Sequence, residues 1–294
     1  MQVSTTPSSG LAGHLEELLV NFPLERSLAQ DPLSCVRPLA VDRRSAEVAG
    51  IYAATLAVGN TTAIRSAFAD WLSRCDGDLT GLVDRSRRPS RDRRLREFRH
   101  RWIRGDQLAY LAYRLHRIEA ELGGLETVFA DGSTGPEGFA SGLDALARAL
   151  RGTDGVDPPA GYRALFPSPL GASHSPCKRL ALFLRWMVRE EYPDLGVWKR
   201  VPLAELRIPL DQHVFWISYH MGLTRRRTRS WAAVEEVTAR LREFDPVDPV
   251  RYDFALCHTG ISGDCPKERD ISVCGACRLR PDCLLWHPRR GRAA

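Results

Sequence analysis

Cys265-Pro-Lys-Glu-Arg-Asp-Ile-Ser-Val-Cys274-Gly-Ala-Cys277-Arg-Leu-Arg-Pro-Asp-Cys283 packs four cysteines into nineteen residues, spaced C-x8-C-x2-C-x5-C. Four thiolates this close in sequence commonly hold a metal, and the two candidates are a [4Fe–4S] cluster and a four-cysteine zinc ion. Structural zinc sites favour two C-x2-C knuckles at the ends of a loop. Here only Cys274 and Cys277 form a close pair, and the outer two are single and unevenly placed. That pattern suits a cluster wrapped by one compact loop, with Cys265, Cys274, Cys277 and Cys283 as ligands. Cys257, in a helix-like run just upstream, is a rival for the first position. Cys35, Cys75 and Cys177 are scattered and read as free thiols.

Outside this loop the chain is an ordinary folding sequence with a basic bias. Its 294 residues are 44% apolar, enough for one large or two modest domains with a core of their own. The first ten residues are polar, lack the apolar segment of a signal peptide and read as a disordered tail. No run approaches the roughly 18 apolar residues of a membrane span. With free cysteines and no export signal, a cytoplasmic protein is expected. The net charge of +6 and pI near 9.0 lean towards a nucleic-acid partner. Of 42 basic residues only three are lysines, Lys178, Lys199 and Lys267, which makes each of them worth tracking.

In chain order, helices are expected over Leu11–Leu19, Ala46–Ala57, Thr61–Cys75, Asp106–Leu122, Leu125–Phe129 and Leu143–Leu150, from apolar spacing and their Gly, Asn and Pro boundaries. Residues 152–161 read as a linker. No alternating run is long enough for a strand, so the fold is expected to be nearly all α. Arg85 to Arg104 holds ten arginines against two acids. A charge run is commonly a solvated face, but this density suggests phosphate contact through residues such as Arg87, Arg88 and Arg91.

Ser175-Pro176-Cys177-Lys178 reads as a helix start, with Ser175 as N-cap and Pro176 at the first position. Leu180, Phe183, Leu184, Met187 and Val188 follow at helical spacing. Lys178 then sits in the first turn, where the helix dipole disfavours a cation and favours the neutral amine that a nucleophile needs. A plain exposed lysine is the bland alternative. Asp211, in Ile208-Pro-Leu-Asp-Gln-His-Val214, reads as the N-cap of a helix ending near Met221.

Cys274-Gly-Ala-Cys277-Arg-Leu-Arg-Pro-Asp-Cys283 is similar to the cluster loop of endonuclease III, and the chain resembles the helix-hairpin-helix DNA glycosylase superfamily. The last three cysteines keep that family's spacing, while the first gap is two residues longer. Pro209-Leu-Asp-Gln-His-Val214 resembles the segment that carries the family's catalytic aspartate. Ser175-Pro-Cys-Lys-Arg-Leu180, Phe183-Leu-Arg-Trp-Met-Val-Arg189, Asp194-Leu-Gly-Val-Trp198 and Asp248-Pro-Val-Arg-Tyr-Asp-Phe-Ala-Leu256 resemble an uncharacterised bacterial branch of the superfamily. The resemblance covers residues 160–285 well and 30–75 weakly. Lys178 and Asp211 are 33 residues apart, a longer interval than in endonuclease III and more like the archaeal 8-oxoguanine glycosylases.

The resemblance implies a two-lobed all-α helix-hairpin-helix fold with a C-terminal [4Fe–4S] loop. One lobe would span 40–205, and the other would combine 11–39 with 206–294. It implies a monomeric base-excision enzyme acting on double-stranded DNA with damaged bases or abasic sites, in the cytoplasm at the nucleoid. Lys178 would be the Schiff-base nucleophile and Asp211 the stabilising carboxylate. The hairpin would be Leu170–Ser175, and Gly171, Ser173, Ser175 and Arg179 would meet DNA there, although the pattern's second glycine is replaced. Asn60, in the Gly59-Asn60-Thr61 turn, is a further contact. His174, Trp186, Trp198 and Trp216 are candidate walls of a pocket for a flipped base, with core roles as their alternative. Two other functions stay open: a non-catalytic iron–sulfur protein that binds DNA structure, and an enzyme acting on RNA or modified nucleosides.

Overall fold

The computed structural model describes residues 10–152, 154–171 and 175–287. The expected disordered tail therefore lies, Gly10 apart, outside the described residues. The fold is all-α. In chain order the α-helices are α1 (Leu11–Val20), α2 (Leu24–Leu28), α3 (Leu33–Val36), α4 (Arg43–Leu56), α5 (Thr61–Arg74), α6 (Leu79–Arg85) and α7 (Arg93–Arg96). They continue with α8 (Gly105–Leu122), α9 (Leu125–Gly132), α10 (Phe139–Arg151), α11 (Lys178–Val188), α12 (Gln212–His220), α13 (Trp231–Phe244), α14 (Asp253–Ile261) and α15 (Ile271–Cys274). The extended backbone that pairs is one tiny hairpin, β1 (Arg99–His100) with β2 (Ile103–Arg104), antiparallel. At two residues per strand it is too short for alternation to reveal it.

The chain forms two compact units, residues 26–206 and residues 1–25 with 207–294. Residues 26–39, expected with the C-terminal unit, belong instead to the larger one. The reason is apolar: Leu33 and Val36 of α3 are fully buried, packed beside α4.

The larger unit is built round α4. Asp42 caps it, accepting from the Ser45 amide at 2.7 Å, and the Ser45 hydroxyl receives the Asp42 amide in return. From Ala46 to Leu56 every residue is buried, so this helix is apolar on all sides and lies inside. Gly50 permits the closest approach. A Cβ there would come within 2.8 Å of Met187 and 3.3 Å of Phe183 on α11. The helix that begins with Lys178 is thus seated directly on the core.

The segment after α11 folds back over it. The Leu195 amide donates to the Trp186 carbonyl at 2.9 Å and the Trp198 amide to Met187 at 2.8 Å. Arg185 and Arg189 both reach the fully buried carboxylate of Asp194, at 3.1 and 3.3 Å. These pairs fill the interior with matched charge, because an unpaired buried carboxylate would be costly.

In the smaller unit α12 packs against α14. His213 lies where a side chain on Gly260 would have to be, 2.5 Å from the ideal Cβ. α13 closes the group, with Val234, Val237 and Leu241 buried, and α1 joins through a Tyr252–Glu16 hydrogen bond of 2.5 Å. No helix of the described residues is long and apolar enough to cross a membrane.

Candidate functional site

The smaller unit holds the loop of four closely spaced cysteines. The loop leaves α14 with the Cys265 amide bonded to the Thr259 carbonyl at 3.2 Å. Asp270 caps the single-turn α15 through the Ser272 amide at 2.9 Å, and this brings Cys274 to the end of the turn. Cys277 follows through a bond to the Cys274 carbonyl at 3.3 Å. A 3-10 turn over Arg280–Asp282 then carries the chain to Cys283. The loop closes where the Leu284 amide meets the His220 carbonyl at 2.8 Å, at the last residue of α12.

Cys265, Cys274, Cys277 and Cys283 all line one cavity, roofed by Leu279 and Trp286 and floored by His220 and Met221. Burial pushes the Cys265 thiol up to about 12, and the neighbouring Cys277, Cys283 and Cys274 add to the rise. Four sulfurs that would repel one another as bare thiolates are suited to a shared cationic partner. Among the described residues no group of three or more His, Cys, Asp or Glu is arranged so that it could hold a metal ion. Cys257 stands apart from this cavity: its thiol donates to Asp211 Oδ2 at 3.3 Å. All eight cysteines are free of disulfides.

Asp211 is the N-cap of α12, as its position predicts. Oδ1 accepts from the Val214 amide at 2.8 Å and Oδ2 from Cys257, and the side chain is mostly buried. Trp216, on the same helix, is half-buried, with the Lys267 ammonium 4.8 Å from its ring centre.

The larger unit carries Lys178 as the first residue of α11, half-buried. The helix starts two residues later than its sequence suggests. Cys177, in the left-handed region at φ 48°, is the residue before it, and no side chain caps the end. Ser175 is not the N-cap; its hydroxyl accepts from the Cys177 amide at 3.2 Å. The Cys177 thiol is buried, donates to the Pro167 carbonyl at 3.3 Å, and is pushed up to about 12 by that burial. The expected hairpin follows a single 3-10 turn, Tyr162–Leu165. Gly171 is exposed at φ +83° with open space where a side chain would go. Ser173 and His174 lie outside the described residues.

Several nominated residues are structural. Arg179 donates to the Ala164 and Leu165 carbonyls at 3.1 and 2.7 Å, so its guanidinium ties down the preceding turn. Asn60 caps α5 through the Ala63 amide at 2.8 Å while its residue stays exposed. Trp186 and Trp198 are each 1% exposed and cannot line a pocket open to a base. Trp198 donates to Glu47 Oε1 at 2.7 Å, and Glu47 also accepts from Arg43 at 2.9 Å. Trp198→Phe removes one of two donors from a buried carboxylate and is expected to cost about 1–3 kcal/mol. Urea denaturation checks this, and unchanged stability would show that the Glu47 carboxylate does not depend on the indole donor.

The arginine run divides in two. Arg93 pairs with Glu97 at 2.7 Å and Arg94 with Asp76 at 2.7 Å. Arg87, Arg88 and Arg91 are exposed and have no carboxylate partner among the described residues. One residue that sequence reading passed over belongs with these. Trp102, at the tip of the β1–β2 hairpin, is 49% exposed, and the Arg179 guanidinium lies 5.3 Å from its ring centre. Its signal in the sequence is faint: one aromatic inside an arginine run.

An all-helical chain with a four-cysteine cavity is the class these observations define. Residues 31–262 match the family described as Protein of unknown function (DUF2400), and the chain belongs to that family. No curated protein and no solved structure matches it.

Proposed function

We propose that this protein is a DNA base-excision enzyme with abasic-site lyase activity, acting from Lys178 and Asp211. It would have the two-lobed helix-hairpin-helix fold and a [4Fe–4S] centre held by Cys265, Cys274, Cys277 and Cys283. The single observation that carries the reading is the gathering of those four cysteines, and not Cys257, round one cavity. The loop's likeness to endonuclease III supports the same reading. A bound cluster would supply a rigid cross-link through the loop.

The chain's own groups account for the chemistry. The Lys178 amine, when neutral, adds to the sugar carbon that bears the damaged base; the carbon–nitrogen glycosidic bond breaks, and the base leaves with a proton. Asp211 lies at a helix N-terminus, accepting from the Val214 amide, and its carboxylate would balance positive charge on the sugar. On an abasic site the same amine condenses with the aldehyde and releases water. The imine that forms makes the adjacent carbon acidic, a proton is lost there, and the 3′ carbon–oxygen bond opens, cutting the strand. Of the other two lysines, Lys199 is ion-paired with Glu190 and Lys267 covers Trp216. Work in the cytoplasm at the nucleoid follows from a DNA substrate.

Borohydride trapping on abasic duplex DNA tests the reading. A covalent protein–DNA adduct is expected, and binding without any adduct would leave a non-catalytic DNA-binding protein instead. Phosphate contact has its own test. Replacing Arg87, Arg88 and Arg91 together by Gln should flatten the slope of log K against log salt by about 2.7, near 0.9 for each lost contact. An unchanged slope would make the run a solvated face.

A further inference from the structure

We propose that Trp102 stacks on a base exposed by local unpairing in DNA, presented by the β1–β2 hairpin beside the first turn of α11. This rests on the reading of DNA as the substrate, but not on catalysis by Lys178.

The hairpin is built to hold its tip still. His100, in β1, is 7% exposed and its Nε2 lies 3.1 and 3.0 Å from the Leu56 and Val58 carbonyls at the end of α4. Phe98, fully buried, meets Trp71 edge-on at 5.4 Å, and the Gly105 amide closes the hairpin base on the Phe98 carbonyl at 3.0 Å. A side chain on Gly105 would strike the Leu95 carbonyl at 1.8 Å, so this base admits little change. The two-residue tip is Arg101-Trp102, with Arg101 at φ 55°.

From this frame the tip reaches two places that the sequence singles out separately. The Arg101 guanidinium lies against Gly59, 3.1 Å from where a Cβ would stand, in the Gly59-Asn60-Thr61 turn. Trp102 meets Arg179, the residue after Lys178, and Arg179 is itself anchored by two carbonyls. The indole is thus backed by a fixed cation, and about half of its surface reaches solvent.

The surroundings choose the partner. An apolar groove or a lipid surface would be met by a contiguous apolar patch. Trp102 is instead an isolated ring among Arg96, Arg99 and Arg101, all exposed. Arg96 and Arg101 have no carboxylate partner among the described residues, and Arg99 donates to backbone carbonyls. One aromatic face inside a cationic rim fits a π-stacked base on a phosphate backbone. A fully paired duplex offers no free base face, so the preference should be for a site where one nucleotide is unpaired or missing.

Fluorescence anisotropy with labelled DNA tests this, using a fully paired duplex, the same duplex with one tetrahydrofuran abasic analogue, and a single strand. Trp102→Ala should weaken binding to the abasic duplex by about 10- to 100-fold, the range for one lost base–aromatic stack. Paired duplex should change by less than about twofold, because arginines carry that binding. Trp102→Phe should retain most of the preference, which separates loss of the ring from damage to the hairpin. An equal loss on paired and abasic duplexes, no loss on either, or a loss seen with single-stranded RNA alone would overturn the proposal. If Trp102-dependent binding is found but no adduct is trapped, the lyase reading falls and the stacking contact stands. If adducts form and Trp102→Ala binds normally, the reverse holds.

Discussion

Lys178→Gln is expected to abolish both the borohydride-trapped adduct and strand cleavage, while abasic DNA is still bound. The substitution removes the amine and keeps a side chain of similar length at the first position of α11, a surface turn of a helix whose seating depends on Leu180, Phe183, Leu184 and Met187. Stability should hold within about 0.5 kcal/mol, as for a site away from the packed face. Slow base release through water would survive, because Asp211 is untouched. Asp211→Asn is the contrasting variant. Asn caps a helix about as well as Asp, so the Val214 amide keeps its acceptor and α12 its first turn. Base excision should nevertheless fall by about 10²–10³, the scale for removing one group that stabilises transition-state charge. Adducts from Lys178→Gln would move the nucleophile to Lys199, Lys267 or the N-terminal amine. An Asp211→Asn protein with full activity would make Asp211 a cap and nothing more.

Protein purified without oxygen should be brown, with about four irons per chain, the stoichiometry of a [4Fe–4S] centre. Cys274→Ser and Cys277→Ser should each bleach it and destabilise the smaller unit. Cys257→Ser should leave iron content unchanged, because its thiol lies against Asp211 and outside the four-cysteine cavity. A colourless protein with one zinc would replace the cluster with an ion. Iron content measured on the parent protein and these three variants decides between these outcomes.

Much of the helical framework is legible in the sequence. The small apolar run of α4 and the Asp211 cap of α12 are local signals, and local chemistry realises each one. The spacing of the last four cysteines is equally local. The misreadings arise where a distant partner decides. Ser175 has the composition of an N-cap, but the turn is set by Cys177, buried against Pro167. Trp186 and Trp198 have the polar handle of a binding aromatic, yet Glu47 and the fold-back over α11 take them inside. Arg94 finds Asp76, an acid outside the run, while Arg93 pairs within it, with Glu97. Trp102 was hidden for the same reason. Its hairpin is pinned by backbone carbonyls of α4 more than forty residues away, and two-residue strands leave no pattern to read.

The nine residues of α12 join Asp211 to the cysteine loop. Asp211 holds the first turn, and the Leu284 amide holds the carbonyl of the last residue, His220. A helix this short is marginal on its own and depends on its ends and its packing. It works as a strut of about 13 Å, at 1.5 Å per residue, with the Asp211 carboxylate at one tip and the cysteine loop fastened to the other. Loosening the fastening would fray the strut before it unfolded the unit. Oxidative loss of the cysteine loop would then silence the carboxylate at a distance, in a protein that still looks folded.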